Sequence, residues 1–283
     1  GTYHFAGHRG DIMSAGYLST LQNNPCYVAC HDGSRIAGPQ AVADINNTQA
    51  MKLWSSSINQ QYTQFKNTIF GNEELYADYY RNFSYRYENI GIEVPDGGQW
   101  GNSKDNKGCN SGDYPNESDQ NFTLANFTAQ QINTSYPDKR MQLYAYSSHA
   151  DVPSSSIAIN SNIDVQVVPT AFQNESSAKG LLNRWYGRTK NISEYHYLNI
   201  PQWGGETPLF FLNDMKKTLQ RAKAKRREGL VWEASPAIFA SLPFLLAANN
   251  TLKANAPVDR TLHTICNDMF GVGAKSRYTL LKL

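Results

Sequence analysis

Residues 90–98 read Ile-Gly-Ile-Glu-Val-Pro-Asp-Gly-Gly. A short β-branched run stops at a proline, and an Asp-Gly-Gly turn follows. The segment therefore predicts a strand over Ile90–Val94 that ends in a tight loop. The same design recurs on both sides of it. Tyr3–Gly7, Cys26–Cys30, Gln142–Tyr146, Ile163–Val168, Glu194–Leu198 and Leu230–Trp232 are each short, rich in β-branched or aromatic residues, and bounded by turn formers.

Helical patterns fill most of the intervals. Ala41–Lys66 spaces Ile45, Met51, Leu53, Ile58 and Phe65 between polar residues. Asn72–Arg81, Ser118–Thr134 (Ser118 as N-cap), Ser176–Tyr186 and Leu209–Arg226 follow. Pro236–Leu252 opens with proline in the first turn, where its missing N–H costs nothing. Val258–Met269 stops before Gly271, a C′ glycine. Strands alternating with helices imply an α/β fold with a parallel sheet and right-handed crossovers.

Seven strands favour a (β/α)8 TIM barrel, with its first strand lacking from this chain or one strand missed. The 283 residues then form a single catalytic-type domain over 1–283, since such a barrel takes about 250. The alternative is an open doubly wound sheet. Against it, neither G-x-G-x-x-G nor G-x-x-x-x-G-K-[ST] follows any strand.

Composition narrows the function. Lys and Arg total 26 against 24 Asp and Glu. That near balance argues against nucleic acid as a partner. The basic run Lys216, Lys217, Arg221, Lys223, Lys225, Arg226 and Arg227 reads as a solvated helix face that complements the helix dipole. No apolar run approaches the ~18 residues of a membrane span, so membrane insertion is not expected. No charged n-region and apolar h-region opens the chain, so residue 1 reads as following a removed segment or as a fragment boundary.

Only 18% of residues are charged, and Asn, Ser, Thr, Gln and 17 Tyr carry the polarity. Such a surface suits an extracytoplasmic protein. Sequons stand at Asn46, Asn82, Asn116, Asn121, Asn126, Asn133, Asn174, Asn191 and Asn249. They read equally well as glycosylation sites or as a by-product of an Asn-rich chain. The four cysteines, at 26, 30, 109 and 266, form no CxxC pair. One disulfide and free buried thiols are both compatible with them.

A barrel builds its site at the C-terminal ends of its strands. Asp96 stands just past one strand, beside glycines that let a ligand approach the backbone. The plainer reading is that Asp96 holds a turn. Glu233 follows Leu230–Trp232, directly before a helix, where it could instead stabilise the helix N-terminus. Two such carboxylates suit glycosidic-bond hydrolysis. One protonates the leaving oxygen while the other activates water or attacks the sugar. Aromatic faces and hydrogen-bonding groups at the strand ends suit sugars, although many such residues simply pack. Candidate sugar contacts are His8, Arg35, Trp100, Tyr146, His149, His196, Tyr197, Trp203, Glu206 and Trp232. His8 and His149 lack a metal-ligand spacing such as H-E-x-x-H. No metal or cofactor is expected, and the expected partner is a poly- or oligosaccharide.

Taken together, these segments resemble DUF4838, an α-glucuronidase-like family of TIM barrels placed near the family 67 glycoside hydrolases. The matching stretches are Asn24–Ala29 with Gly33-Ser34-Arg35, Ile92–Gly98, Phe122–Asn126, Leu143–Tyr146, Trp185, Tyr195-His196-Tyr197 and Phe270-Gly271. The resemblance implies an N-terminal β domain and a first barrel strand ahead of this segment. It sets Asp96 where the general acid of such barrels stands and Glu233 near a second catalytic carboxylate. Trp203–Phe211, with Glu206, looks like the loop that supplies a further one. The chemistry implied is inverting hydrolysis, with water between acid and base. This sequence departs in having Asp where the characterised acid is Glu, and in keeping only Cys109 of the cysteines that follow the Asp-Gly segment in relatives. The other expectation is a carbohydrate-binding barrel without catalysis.

Overall fold

The computed structural model describes residues 4–5, 15–70, 89–104, 108–109, 112–169, 175–199, 217–221, 229–234 and 257–276. The chain divides into two compact units. The first comprises Gly1–Val167 and Lys179–Asn191; the second, Val168–Ala178 and Ile192–Leu283.

Four parallel strands run through the first unit: β1 (His4–Phe5), β2 (Asn89–Gly91), β3 (Arg140–Ala145) and β4 (Ile163–Val167). Each pairs with the next in sequence. Successive neighbours without a reversal of direction are the arrangement of a (β/α) barrel wall. A doubly wound sheet reverses its strand order at a switch point. The helices are α1 (Ala15–Asn23), α2 (Thr48–Phe70), α3 (Glu117–Ser135) and α4 (Glu175–Arg188). The second unit holds the parallel pair β5 (Ile192–Asn199) and β6 (Gly229–Ala234), helical residues 217–221, and α5 (Val258–Phe270).

The chain is thus mixed α/β with parallel strands. Six strands are present among the described residues, so an eight-stranded barrel is not shown. The expected strand Cys26–Cys30 is not one. Pro25 opens a 3₁₀ turn over Pro25–Tyr27, and Val28 makes only a lone antiparallel bridge to Ala43. Proline's fixed φ suits the first position of a helical turn and blocks a ladder N–H. The expected helices Asn72–Arg81 and Pro236–Leu252 lie outside the described residues.

Helix ends follow local chemistry. The α3 cap is Asn116, whose side chain accepts from the Asp119 N–H, with Glu117 and Asp119 in the first turn; Ser118 lies inside the helix. Asn47 caps α2 by accepting from the N–H groups of Gln49 and Ala50. That cap explains why α2 begins at Thr48 and not at Ala41. Gly271, at φ 50°, ends α5 as expected, in a conformation that favours glycine.

The sheet of the first unit is two-faced. Ile90, Met141, Leu143, Ala145, Ile163, Val165 and Val167 are all buried on one face. There α3 packs against β3 and β4. Phe122 and Trp185 meet above it with ring centroids 5.5 Å apart, and Trp185 donates its indole N–H to the Ala150 carbonyl. Each such fully buried large side chain stabilises the fold by about 1.5–3 kcal/mol. The alternate positions Asn89, Arg140, Gln142, Tyr144, Asp164 and Gln166 form the other face, and they are polar. At its N-terminal end Asp164 accepts from Asn89 Nδ2 at 2.9 Å and from the Arg140 guanidinium through two nitrogens. This buried carboxylate is fully partnered, as low dielectric demands.

Candidate functional site

The sheet ladder ends just past β2, where Ile92 N–H still donates to the Gln142 carbonyl. At the next step a side chain takes over. The Glu93 carboxylate accepts the Tyr144 backbone N–H through Oε2. Glu93 is 2% exposed, an unusual position for a carboxylate unless it is paired. Its other oxygen, Oε1, lies 3.5 Å from His149 Nε2. No hydrogen bond reaches Oε1, or either ring nitrogen of His149, among the described residues.

His149 is delivered by the turn that follows β3. Ser147 takes φ 51°, left-handed and costly for a residue with a side chain, and the 3₁₀ turn Ser147–His149 brings the imidazole back into the protein. His149 is 5% exposed. Trp100 meets it edge-on at 5.3 Å and Tyr146 at 6.4 Å. Three residues singled out in the sequence, Trp100, Tyr146 and His149, are thereby brought together. Glu93 completes the group. The sequence signal for it was available: an ionisable residue inside an otherwise apolar strand.

Asp96 is not part of this cluster. It sits exposed in a β-turn closed by the Gly98 N–H on the Pro95 carbonyl, with Gly97 at φ 67°. Those are the marks of a type II turn, which accounts for the glycine. Arg35 is also committed elsewhere. Its guanidinium lies 2.6 Å from Asp44 and also bonds the Val28 carbonyl and the Tyr114 hydroxyl. Tyr114 in turn donates to Asp44 at 3.0 Å and accepts the Cys30 N–H.

This Arg35–Asp44–Tyr114 network supports the loop that carries Trp100. The Gln120 amide clamps Gly101 on both its N–H and its carbonyl, and His31 Nδ1 lies 2.7 Å from the Trp100 carbonyl oxygen. A Cβ at Gly101 would lie 2.3 Å from two ring carbons of Tyr114. That ring is pinned by its hydroxyl and cannot withdraw. Gly101→Ala is expected to cost about 1–3 kcal/mol or more, read by urea denaturation.

Burial, reinforced by the Asp44 charge, pushes the Tyr114 phenol up to about 12, with the Cys30 N–H and Arg35 acting in opposition. The fold thus favours the neutral phenol. Its contribution is complete below the ordinary value of 10.0 and is lost as pH rises through about 12. Denaturation midpoints taken across that window are expected to fall more steeply in wild type than in Tyr114→Phe.

Cys26 is disulfide-bonded to Cys109 across 83 residues, which ties the 3₁₀ turn to the far end of the same loop. Cys30 and Cys266 are free and buried. Several sequon asparagines make structural contacts. Asn121 is buried, and Asn126 and Asn191 donate Nδ2 to the Ala158 and Ser161 carbonyls. The nitrogen that would carry a glycan is already committed in those two.

In the second unit, Glu194 is fully buried and takes a bidentate bond from Arg221, at 2.6 and 3.3 Å. His196, two residues along the same strand, places Nε2 3.0 Å from Glu194 Oε2. Tyr197 packs edge-on to Tyr195 at 5.5 Å. Trp232 and Glu233 lie inside β6, in register with His196 and Tyr197, so the strand runs past its expected end. Their side chains, with His8, Trp203 and Glu206, lie outside what the structure describes. Among the described residues no three His, Cys, Asp or Glu side chains converge as metal ligands, and no helix is long and apolar enough to cross a membrane.

Residues 99–269 match the family model described as Domain of unknown function (DUF4838), more than half of the chain. No curated protein and no solved structure matches it.

Proposed function

The chain belongs to the DUF4838 family, and from that premise we propose that it is a glycoside hydrolase working by acid–base chemistry at a strand end. The observation that carries this reading is the buried Glu93–His149 pair beneath Trp100 and Tyr146. A carboxyl held by a backbone N–H on one oxygen and turned toward an imidazole on the other is equipped to hold or release a proton. Of the two rings beside it, Trp100 is buried and fixes the imidazole, while the half-buried Tyr146 is the one able to meet sugar C–H groups.

Glu93 takes the acid's role that the sequence suggested for Asp96. This also removes the departure noted above, because the residue is then Glu. The finer reading is an inverting, α-glucuronidase-like enzyme on a (β/α)8 barrel. Sequential parallel strands are consistent with such a barrel. The Cys26–Cys109 disulfide supports an oxidising, extracytoplasmic setting.

The test is hydrolysis of a panel of aryl glycosides and glucuronides by wild type, Glu93→Gln, Asp96→Asn and Glu233→Gln. Turnover lost in Glu93→Gln and kept in Asp96→Asn is expected. Sugar binding without turnover in wild type would instead identify a binding module.

A further inference from the structure

Gln142 lies in the middle of β3 on the polar face of the sheet, in register with Gly91 on β2 and Asp164 on β4. It is 2% exposed, yet neither its amide oxygen nor its amide nitrogen has a hydrogen-bond partner among the described residues. Leaving both ends of a buried amide unpaired is costly, and a fold that needed only packing there would use an apolar residue. Asp164 in the neighbouring strand shows the contrast, because both of its oxygens accept hydrogen bonds.

Strand alternation sets Asn89 and Gly91 on this same face, and Glu93 follows just past the strand end. Gly91, beside Gln142, carries no side chain. Among the described residues, Glu93 Oε1 and both nitrogens of His149 are also buried without a hydrogen-bond partner. The Gln142 amide, a carboxylate oxygen and an imidazole thus all lack partners among the described residues, while the face of β3 opposite Gln142 is filled by Met141, Leu143 and Ala145.

We propose that Gln142 is a specificity-determining residue that binds two adjacent hydroxyls of a pyranose, its Nε2 donating to one and its Oε1 accepting from the other. This rests on the glycan reading above and adds the group recognised. An amide matches a vicinal diol because each hydroxyl both donates and accepts. A site built this way rejects analogues that lack the hydroxyls, since its own polar atoms would then stay unpaired.

The experiment follows thermal unfolding of wild type and Gln142→Met with glucose, xylose, glucuronate, or tetrahydropyran-2-methanol, which keeps the ring without the adjacent hydroxyls. At least one sugar is expected to raise the wild-type Tm, and tetrahydropyran-2-methanol is not. Gln142→Met, which removes the unpaired amide at similar volume, is expected to raise the Tm of the free protein by about 2 °C or more. It is also expected to weaken sugar binding about tenfold or more.

A lower Tm in Gln142→Met means the amide already supports the fold and overturns the assignment. So does sugar binding unchanged in the variant, or no response of wild type to any of the sugars. Because the readout is binding and stability, it separates from hydrolysis. If Gln142→Met behaves as expected while wild type cleaves nothing, the subsite stands and the hydrolase reading falls.

Discussion

Glu93→Gln is expected to lower glycoside turnover by about 10²–10⁴-fold, the range that a positioned acid or base contributes. The substitution suits the site because a glutamine oxygen can still accept the Tyr144 N–H that Oε2 now takes. The fold should therefore survive, and only the carboxylate oxygen facing His149 is lost. Matched circular dichroism and Tm for the two proteins would show that the loss is chemical. Asp96→Asn, exposed in its turn, is expected to leave turnover near wild type. The opposite pattern, activity lost in Asp96→Asn and kept in Glu93→Gln, would return the acid's role to the turn.

Asp44→Ala should be the most damaging single change to stability. Arg35 and Asp44 have side chains only 1% and 3% exposed, 2.6 Å apart. Removing the carboxylate leaves a buried guanidinium unpaired, which costs about 3–5 kcal/mol, or about 10 °C in Tm. It also strips an acceptor from Tyr114 and the bond that Asp44 makes to the Asn46 N–H. The double variant Arg35→Met/Asp44→Leu is expected to recover a large part of the loss, because no buried charge is then left alone. Scanning calorimetry on the three proteins measures it. A double variant no better than Asp44→Ala would mean the network matters for its hydrogen bonds more than for its charges.

Much of the architecture was legible in short-range chemistry. β-Branched runs bounded by turn residues marked β2, β3, β4, β5 and β6, and Gly271 marked the end of α5. The failures have local causes. Cys26–Cys30 has strand-like residues, but Pro25 commits the chain to a 3₁₀ turn and the partner of Cys26 lies 83 residues away, a distance no local pattern reports. The expected helix Ala41–Lys66 rested on the spacing of Ile45, Met51, Leu53, Ile58 and Phe65, and residues 41–44 were carried along with it. They are buried instead as a loop beneath Arg35, and the helix waits for the Asn47 cap.

The site was harder to read for a different reason. Asp96 drew attention by standing next to glycines after a strand, where side chains are visible to solvent and to pattern. Glu93 and Gln142 sit within apolar-looking strands and resemble noise in a hydrophobic alternation. Their meaning depends on which neighbours satisfy them, and only the folded chain shows that. Arg35 was misleading in the reverse sense. It was expected to contact sugar, but its partners Asp44 and Tyr114 come from elsewhere in the chain.

The two faces of the β2–β4 sheet also bear on how such a protein can change over time. Successive residues of β3 and β4 answer to different demands. Met141, Leu143, Ile163 and Val165 answer to volume, while Gln142, Tyr144, Asp164 and Gln166 answer to hydrogen-bonding identity. A substitution map of these strands should be striped with a period of two, and the stripes should be sharpest when only expression level is scored. On the glycan reading proposed above, selection could then retune positions such as Gln142 while the intervening apolar residues hold the scaffold still.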